Sequence, residues 1–221
     1  MNNKYMGEDD LVLNTAARVP VCLCLDVSGS MCDCIKELEE GVNLFYESVR
    51  KHEQAKDSCE IAVVTFSTGA KNLEDFSSVE RKEPLRLTAN GGTDMAAGVE
   101  LALQLLAARK QDYKAAGVEY YQPWIIIMSD GAPNDKNSVK ALQTKMRSME
   151  AERQLVIFSV GIGQDADMEI LNGFSRRGAK HLRGFCFEEF FEWLSKSIGV
   201  VSQSQVGEKV IIAPTSGWEE I

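Results

Sequence analysis

Val19-Pro20-Val21-Cys22-Leu23-Cys24-Leu25 is an unbroken apolar run that leads directly into Asp26-Val27-Ser28-Gly29-Ser30. Apolar residues without polar alternation are expected of a strand buried on both faces, as in parallel sheets, rather than of a half-exposed strand. Beyond it, Ile35, Leu38, Val42, Phe45 and Val49 recur at three- and four-residue intervals with Glu and Lys between them. That periodicity predicts an amphipathic helix over 35–49.

The alternation continues along the chain. Ile61-Ala62-Val63-Val64-Thr65-Phe66 reads as a second buried strand, and 73–79 as a weaker neighbour near a sheet edge. Asn90-Gly91-Gly92 is a turn signal that leads through Thr93-Asp94 into a helical pattern over 95–109. Trp124-Ile125-Ile126-Ile127-Met128 is the most hydrophobic strand and ends at Ser129-Asp130-Gly131. A helix over 138–153, a strand over 155–160, a short helix over 165–174, a short strand over 181–183 and a helix over 187–200 complete the series. Such alternation predicts an α/β fold: three layers, doubly wound and Rossmann-like, with a mostly parallel sheet covered by helices on both faces. Ligands of such sheets bind beyond the carboxyl ends of the strands. The expected organisation is an N-terminal extension (1–15), one domain (16–201) and a C-terminal tail (202–221) that is either a packed extension or a tether.

With 221 residues, 44% hydrophobic and 26% charged, the chain has the composition of an ordinary globular protein with a sizeable core. A net charge of −9 and the lack of a basic run argue against a nucleic-acid partner, since backbone binding needs clustered Lys and Arg. No secretory signal is expected in the first fifteen residues, and no apolar run is long enough to span a bilayer. Six cysteines in mostly hydrophobic surroundings read as reduced thiols, and the expected location is cytoplasmic.

Asp26-Val27-Ser28-Gly29-Ser30 offers a carboxylate and two hydroxyls at alternate positions after a buried strand, with Gly29 easing the turn. Oxygen donors of this kind suit a hard cation, Mg²⁺ above all, with Mn²⁺ or Ca²⁺ as alternatives. Thr93 before one helix and Asp130 after another strand add a hydroxyl and a carboxylate from the same sheet edge. Here the sequence resembles the von Willebrand factor type A domains, whose metal-ion-dependent adhesion site is written Asp-x-Ser-x-Ser, then Thr, then Asp. Asp26, Ser28, Ser30, Thr93 and Asp130 follow that order. The resemblance covers most of the chain. Asp26 to Met31, Gly91 to Asp94, Met128 to Pro133, Val160 to Ala166 and Phe190-Phe191-Glu192-Trp193-Leu194-Ser195 are similar to the compact bacterial intracellular branch of tellurite-resistance-type gene clusters.

The resemblance implies that Ser28, Ser30 and Thr93 are inner ligands and that Asp26 and Asp130 bind directly or through water. A cation held mainly by neutral hydroxyls attracts a further carboxylate, so the implied function is a protein-binding adaptor or scaffold whose Mg²⁺ bridges to a partner's Asp or Glu. A stress-response or signalling assembly is the implied setting, and no enzyme activity is expected. The alternative is a Mg²⁺-dependent phosphotransferase or phosphatase with Asp26 as nucleophile, although Ser28 stands where such enzymes place a carboxylate general acid. Each motif also has a plainer reading: Asp-x-Ser-x-Ser as turn chemistry, Thr93 as a helix N-cap and Asp130-Gly131 as a turn. Cys22, Cys24, Cys32 and Cys34 depart from usual zinc spacing, Gly161-Ile162-Gly163 lacks the third glycine of a dinucleotide fingerprint, and His52 and His181 lack a nucleophile motif.

Overall fold

The computed structural model describes residues 14–130, 133–215 and 217–219. Most of the N-terminal extension and the turn at Gly131 lie outside the described residues. Six strands, β1 (Val19–Asp26), β2 (Cys59–Phe66), β3 (Ala70–Ser78), β4 (Trp124–Ser129), β5 (Val156–Gly161) and β6 (Lys180–His181), form one sheet in the order β3-β2-β1-β4-β5-β6. All neighbours are parallel except β3, which returns antiparallel to β2 at the edge. This is the mostly parallel α/β sheet that the buried apolar runs predict.

The helices are α1 (Ile35–Arg50), α2 (Glu53–Ser58), α3 (Met95–Ala116), α4 (Lys136–Ala151), α5 (Met168–Asn172) and α6 (Phe187–Ser202). Successive side chains of a strand face opposite ways, and β1 divides accordingly. Val19, Val21, Leu23 and Leu25 pack with α1 and α6, whereas Cys22 and Cys24 pack with α3, α4 and α5. The sheet therefore lies between two cores, with β1 at the centre of both.

Several boundaries differ from the sequence expectation. Helix α3 continues beyond 109 to Ala116 because the buried Tyr113 anchors its last turns: the hydroxyl donates to Glu60 on β2. It stops at Gly117, which takes a left-handed φ of 67° that costs glycine little. Helix α2 has no counterpart in the sequence reading. Helix α5 starts at Met168, behind Asp167, whose carboxylate accepts the Ile170 N–H. The tail packs onto the domain: Trp218 is buried against Phe190 and Trp193, with ring centroids 4.9 and 5.3 Å away.

Between β3 and α3 the chain runs extended, held by side chains of α1 rather than by a strand. Asn43 accepts the Leu85 N–H at 2.7 Å and donates to the Leu85 carbonyl at 3.2 Å, imitating a strand partner. Glu39 accepts the Leu87 N–H at 2.7 Å, and Arg50 donates to the carbonyls of Val79 and Lys82. Buried Leu85 and Leu87 complete the anchoring, so the segment reaches the sheet's carboxyl edge in one defined course.

Candidate metal centre

The site is built where β1 ends. Asp26, the last residue of β1, is fully buried. One carboxylate oxygen accepts the Ser28 N–H at 2.8 Å, and the other accepts the Ser129 hydroxyl at 2.5 Å. Parallel pairing explains the second contact, since Leu25 lies opposite Met128 and the residues after them meet. Ser129 was not among the residues singled out from the sequence. Its only signal there is its position at the end of the strand before Asp130.

Ser28 is buried and Ser30 exposed, yet their hydroxyl oxygens lie 3.0 Å apart. A 3₁₀ turn over Gly29–Asp33 carries Ser30 to the rim, and Gly29 permits a close approach at its start. A Cβ at position 29 would lie 3.3 Å from the Gly91 carbonyl, to which the Gly29 N–H donates at 3.1 Å. The Asn90 N–H donates to the Val27 carbonyl at 2.8 Å, giving the β1 loop and the loop before α3 a second link.

That second loop turns at Gly91, whose φ of 76° favours glycine, and delivers Thr93, which is 7% exposed. Thr93 is not the helix cap that its position suggests. Asp94 caps α3, accepting the Ala97 N–H at 3.1 Å. The Thr93 carbonyl in turn accepts the Asn134 N–H at 3.0 Å, tying this loop to the one that follows β4. Asp130, half-buried at the end of β4, uses its carbonyl to accept the Asp167 N–H at 2.7 Å. Asp26, Ser28 and Ser30 are thus in direct contact, while Thr93 and Asp130 stand on loops joined to theirs by backbone hydrogen bonds or, for Asp130, by strand pairing.

Burial pushes the Asp26 carboxyl up to about 6, against the hydrogen bonds from Ser129 and Ser28, and the neighbouring negative charge of Asp130 adds to the rise. A cation would relieve both causes, and the donors are all oxygen, so the set fits a hard divalent ion. Among the described residues, no group of three or more His, Cys, Asp or Glu side chains gathers to hold a metal. The candidate set has two carboxylates and three hydroxyls, which is a different kind of site. Zinc gains no support: Cys22 and Cys24 face one core and Cys34 the other.

A model of the von Willebrand factor type A domain matches residues 21–192, most of the chain and every element from β1 into α6. The chain belongs to the von Willebrand factor type A domain family. Solved structures agree on the fold of this von Willebrand factor type A domain. A von Willebrand factor type A protein from Catenulispora acidiphila has a TM-score of 0.59 at 18% identity, covering 84% of this chain and 43% of that one. Proximal thread matrix protein 1 from the mussel byssus gives 0.57 at 17% identity, covering 83% and 48%. The manganese-loaded TRAP protein of Plasmodium vivax gives 0.55 at 19% identity, covering 79% and 73%. The chain spans less than half the length of the first two. No curated protein matches the chain significantly. Among the described residues no helix is long and apolar enough to cross a membrane.

Proposed function

We propose that this von Willebrand factor type A domain is a metal-dependent protein-binding module, an adaptor or scaffold rather than an enzyme. Ser28, Ser30 and Thr93 would hold Mg²⁺, with Asp26 and Asp130 supplying negative charge beside it. The observation that carries the reading is the Ser28–Ser30 hydroxyl pair, 3.0 Å apart, next to a buried Asp26 whose two oxygens are already engaged. When bound, such a cation would supply a positive, incompletely neutralised centre able to take a carboxylate from a partner's Asp or Glu. Asp26 orients Ser28 through its N–H, Ser129 fixes Asp26, and Ser30 stands exposed at the rim where a partner arrives.

The manganese-loaded state of the P. vivax protein supports a divalent cation in this fold, with Mn²⁺ or Ca²⁺ as alternatives to Mg²⁺. A cytoplasmic location, a stress-response or signalling assembly and kinship with the tellurite-resistance-type branch belong to the same proposal. The net charge of −9 supports a protein rather than a nucleic-acid partner.

Phosphoryl transfer through Asp26 is the weaker reading, because a nucleophile needs a free, accessible oxygen. Asp26 is fully buried with both oxygens hydrogen-bonded. Mg²⁺-dependent phosphatase turnover that disappears in Asp26→Asn would reverse this preference. The binding reading is tested by capture from native lysate on immobilised protein in Mg²⁺, in chelator, and with Asp130→Ala, which keeps the backbone carbonyl that accepts from Asp167. A partner retained only by the unaltered protein in Mg²⁺ is expected. The same proteins retained in all three conditions would contradict the proposal.

A further inference from the structure

Beside the metal loops the surface opens into a cleft of about 450 Å³, in the range of small-ligand sites. Thr65 and Leu73 of the β2–β3 hairpin line it, the extended segment at Leu87 and Thr88 forms a wall, and Val27 and Asn90 close the end nearest the metal loops. Val27 lies between Asp26 and Ser28, and its carbonyl accepts the Asn90 N–H at 2.8 Å. The cleft therefore borders the loop that carries Ser28 and Ser30, while none of the five candidate metal residues lines it.

Its charge is opposite to that of the molecule. The chain carries −9 overall, yet the cleft is flanked by two cations, Lys71 and Arg86. Lys71 is exposed, stands opposite Thr65 across the hairpin, and makes no ion pair among the described residues. Arg86 keeps 82% of its side chain exposed while one guanidinium N–H donates to Glu39 at 3.0 Å. Glu39 carries one negative charge shared between Arg86 and Lys36, the latter at 3.3 Å, so these three groups together keep a net positive charge. Hydroxyls at Thr65, Ser67 and Thr88 add donors and acceptors suited to a peptide backbone.

We propose that this cleft is a second subsite for the partner, which takes a short acidic peptide segment whose first carboxylate meets the metal and whose second lies between Lys71 and Arg86. The proposal rests on the metal-bridging reading above and narrows the partner to a di-acidic motif in an extended segment. An extended chain advances about 3.3 Å per residue, so a carboxylate a few residues from the metal-bound one reaches the cleft. The two cations act at partly solvated distance, which makes the second carboxylate worth about threefold to tenfold in affinity, lost at high salt.

The test is an amide NMR titration of the full chain in Mg²⁺ with synthetic Gly/Ser peptides. These carry no Asp, one Asp, or one Asp plus a second moved stepwise along either side. The expected result is that one Asp shifts the amides of Val27 and Ser30. One placement of the second Asp should tighten binding about threefold to tenfold and also shift Lys71 and Thr88. Lys71→Gln and Arg86→Gln, which keep stem length without charge, should each reduce that gain and leave single-Asp binding unchanged. Single-Asp binding with no gain at any placement would overturn the cleft proposal and leave the metal-bridging reading standing. Ser28→Ala protein that binds as well as the unaltered chain, or unaltered protein that binds no peptide in Mg²⁺, would overturn both. Groove shifts as large with the Asp-free peptide would assign the cleft to neutral backbone recognition and likewise overturn the proposal.

Discussion

Replacing Asp26 with Asn separates what the carboxylate would do for the proposed metal from what it costs the fold. Its carboxyl is raised from an ordinary value of 3.8 to about 6 by burial, in spite of hydrogen bonds from Ser129 and Ser28. A raised folded-state value means that protonation favours the folded chain. The benefit is complete below pH 3.8 and is lost as pH rises through 6. Above that pH the ionised group penalises the fold by about 2 to 3 kcal/mol, taking about 1.4 kcal/mol per tenfold shift and allowing for some relaxation. Asn keeps a carbonyl oxygen for the Ser28 N–H, and its NH₂ can donate to the Ser129 hydroxyl, so the shape and both contacts survive. Urea denaturation in chelator at about pH 8 should therefore show Asp26→Asn to be more stable than the unaltered chain by about 2 to 3 kcal/mol, the difference shrinking toward about pH 4. Added Mg²⁺ should raise the stability of the unaltered chain and have little effect on the variant. A variant less stable in chelator at the higher pH would refute the reasoning, because Asp26 would then hold the fold together rather than serve a ligand at its expense.

Other outcomes follow from the same contacts. Mg²⁺ affinity should climb as pH rises through about 6 and level off above it, because binding must displace the Asp26 proton; calorimetry in several buffers would show the proton release. Trp218→Ala should cost about 3 to 5 kcal/mol in a denaturant titration, since it removes a buried ring between Phe190 and Trp193. Although burial works to raise it, Glu39 is held below its ordinary 4.5 by the Leu87 N–H, Arg86 and Lys36. Its contribution is therefore present above about pH 4.5 and lost as pH falls through the lowered value, and Glu39→Gln should cost about 1 to 3 kcal/mol at neutral pH and little in acid.

The four central strands, β1, β2, β4 and β5, were legible because each is a short apolar run ended by turn residues, and the weaker pattern of β3 matched its edge position. Helix α2 was not, since Glu53-Gln54-Ala55-Lys56-Asp57-Ser58 buries only Ala55 and Ser58 and shows no periodic face. The last turns of α3 were missed for a related reason: Lys110, Gln111, Asp112 and Lys114 look like a helix already ended, and the contact that extends it runs from Tyr113 to Glu60 on β2. For the candidate site, the placement of Asp26, Ser28, Ser30, Thr93 and Asp130 in loops after strands or just before a helix was readable, because the flanking apolar and helical patterns mark those loops. The residues that hold those loops were not. Ser129 reaches Asp26 across 103 positions, and Glu39 and Asn43 hold a segment more than 40 positions away. Contacts of that range leave no local pattern, so only the folded chain reveals that α1 sets the course of the loop carrying Thr93.

The most direct test of a hydroxyl-lined cation site is isothermal titration of Mg²⁺ into the chelator-stripped chain, alongside Ser28→Ala and Thr93→Ala. One site in the unaltered chain, weakened at least about tenfold in each variant, a loss of about 1.4 kcal/mol, is the expected result. Equal binding by all three proteins, or none by the unaltered chain, would contradict the account.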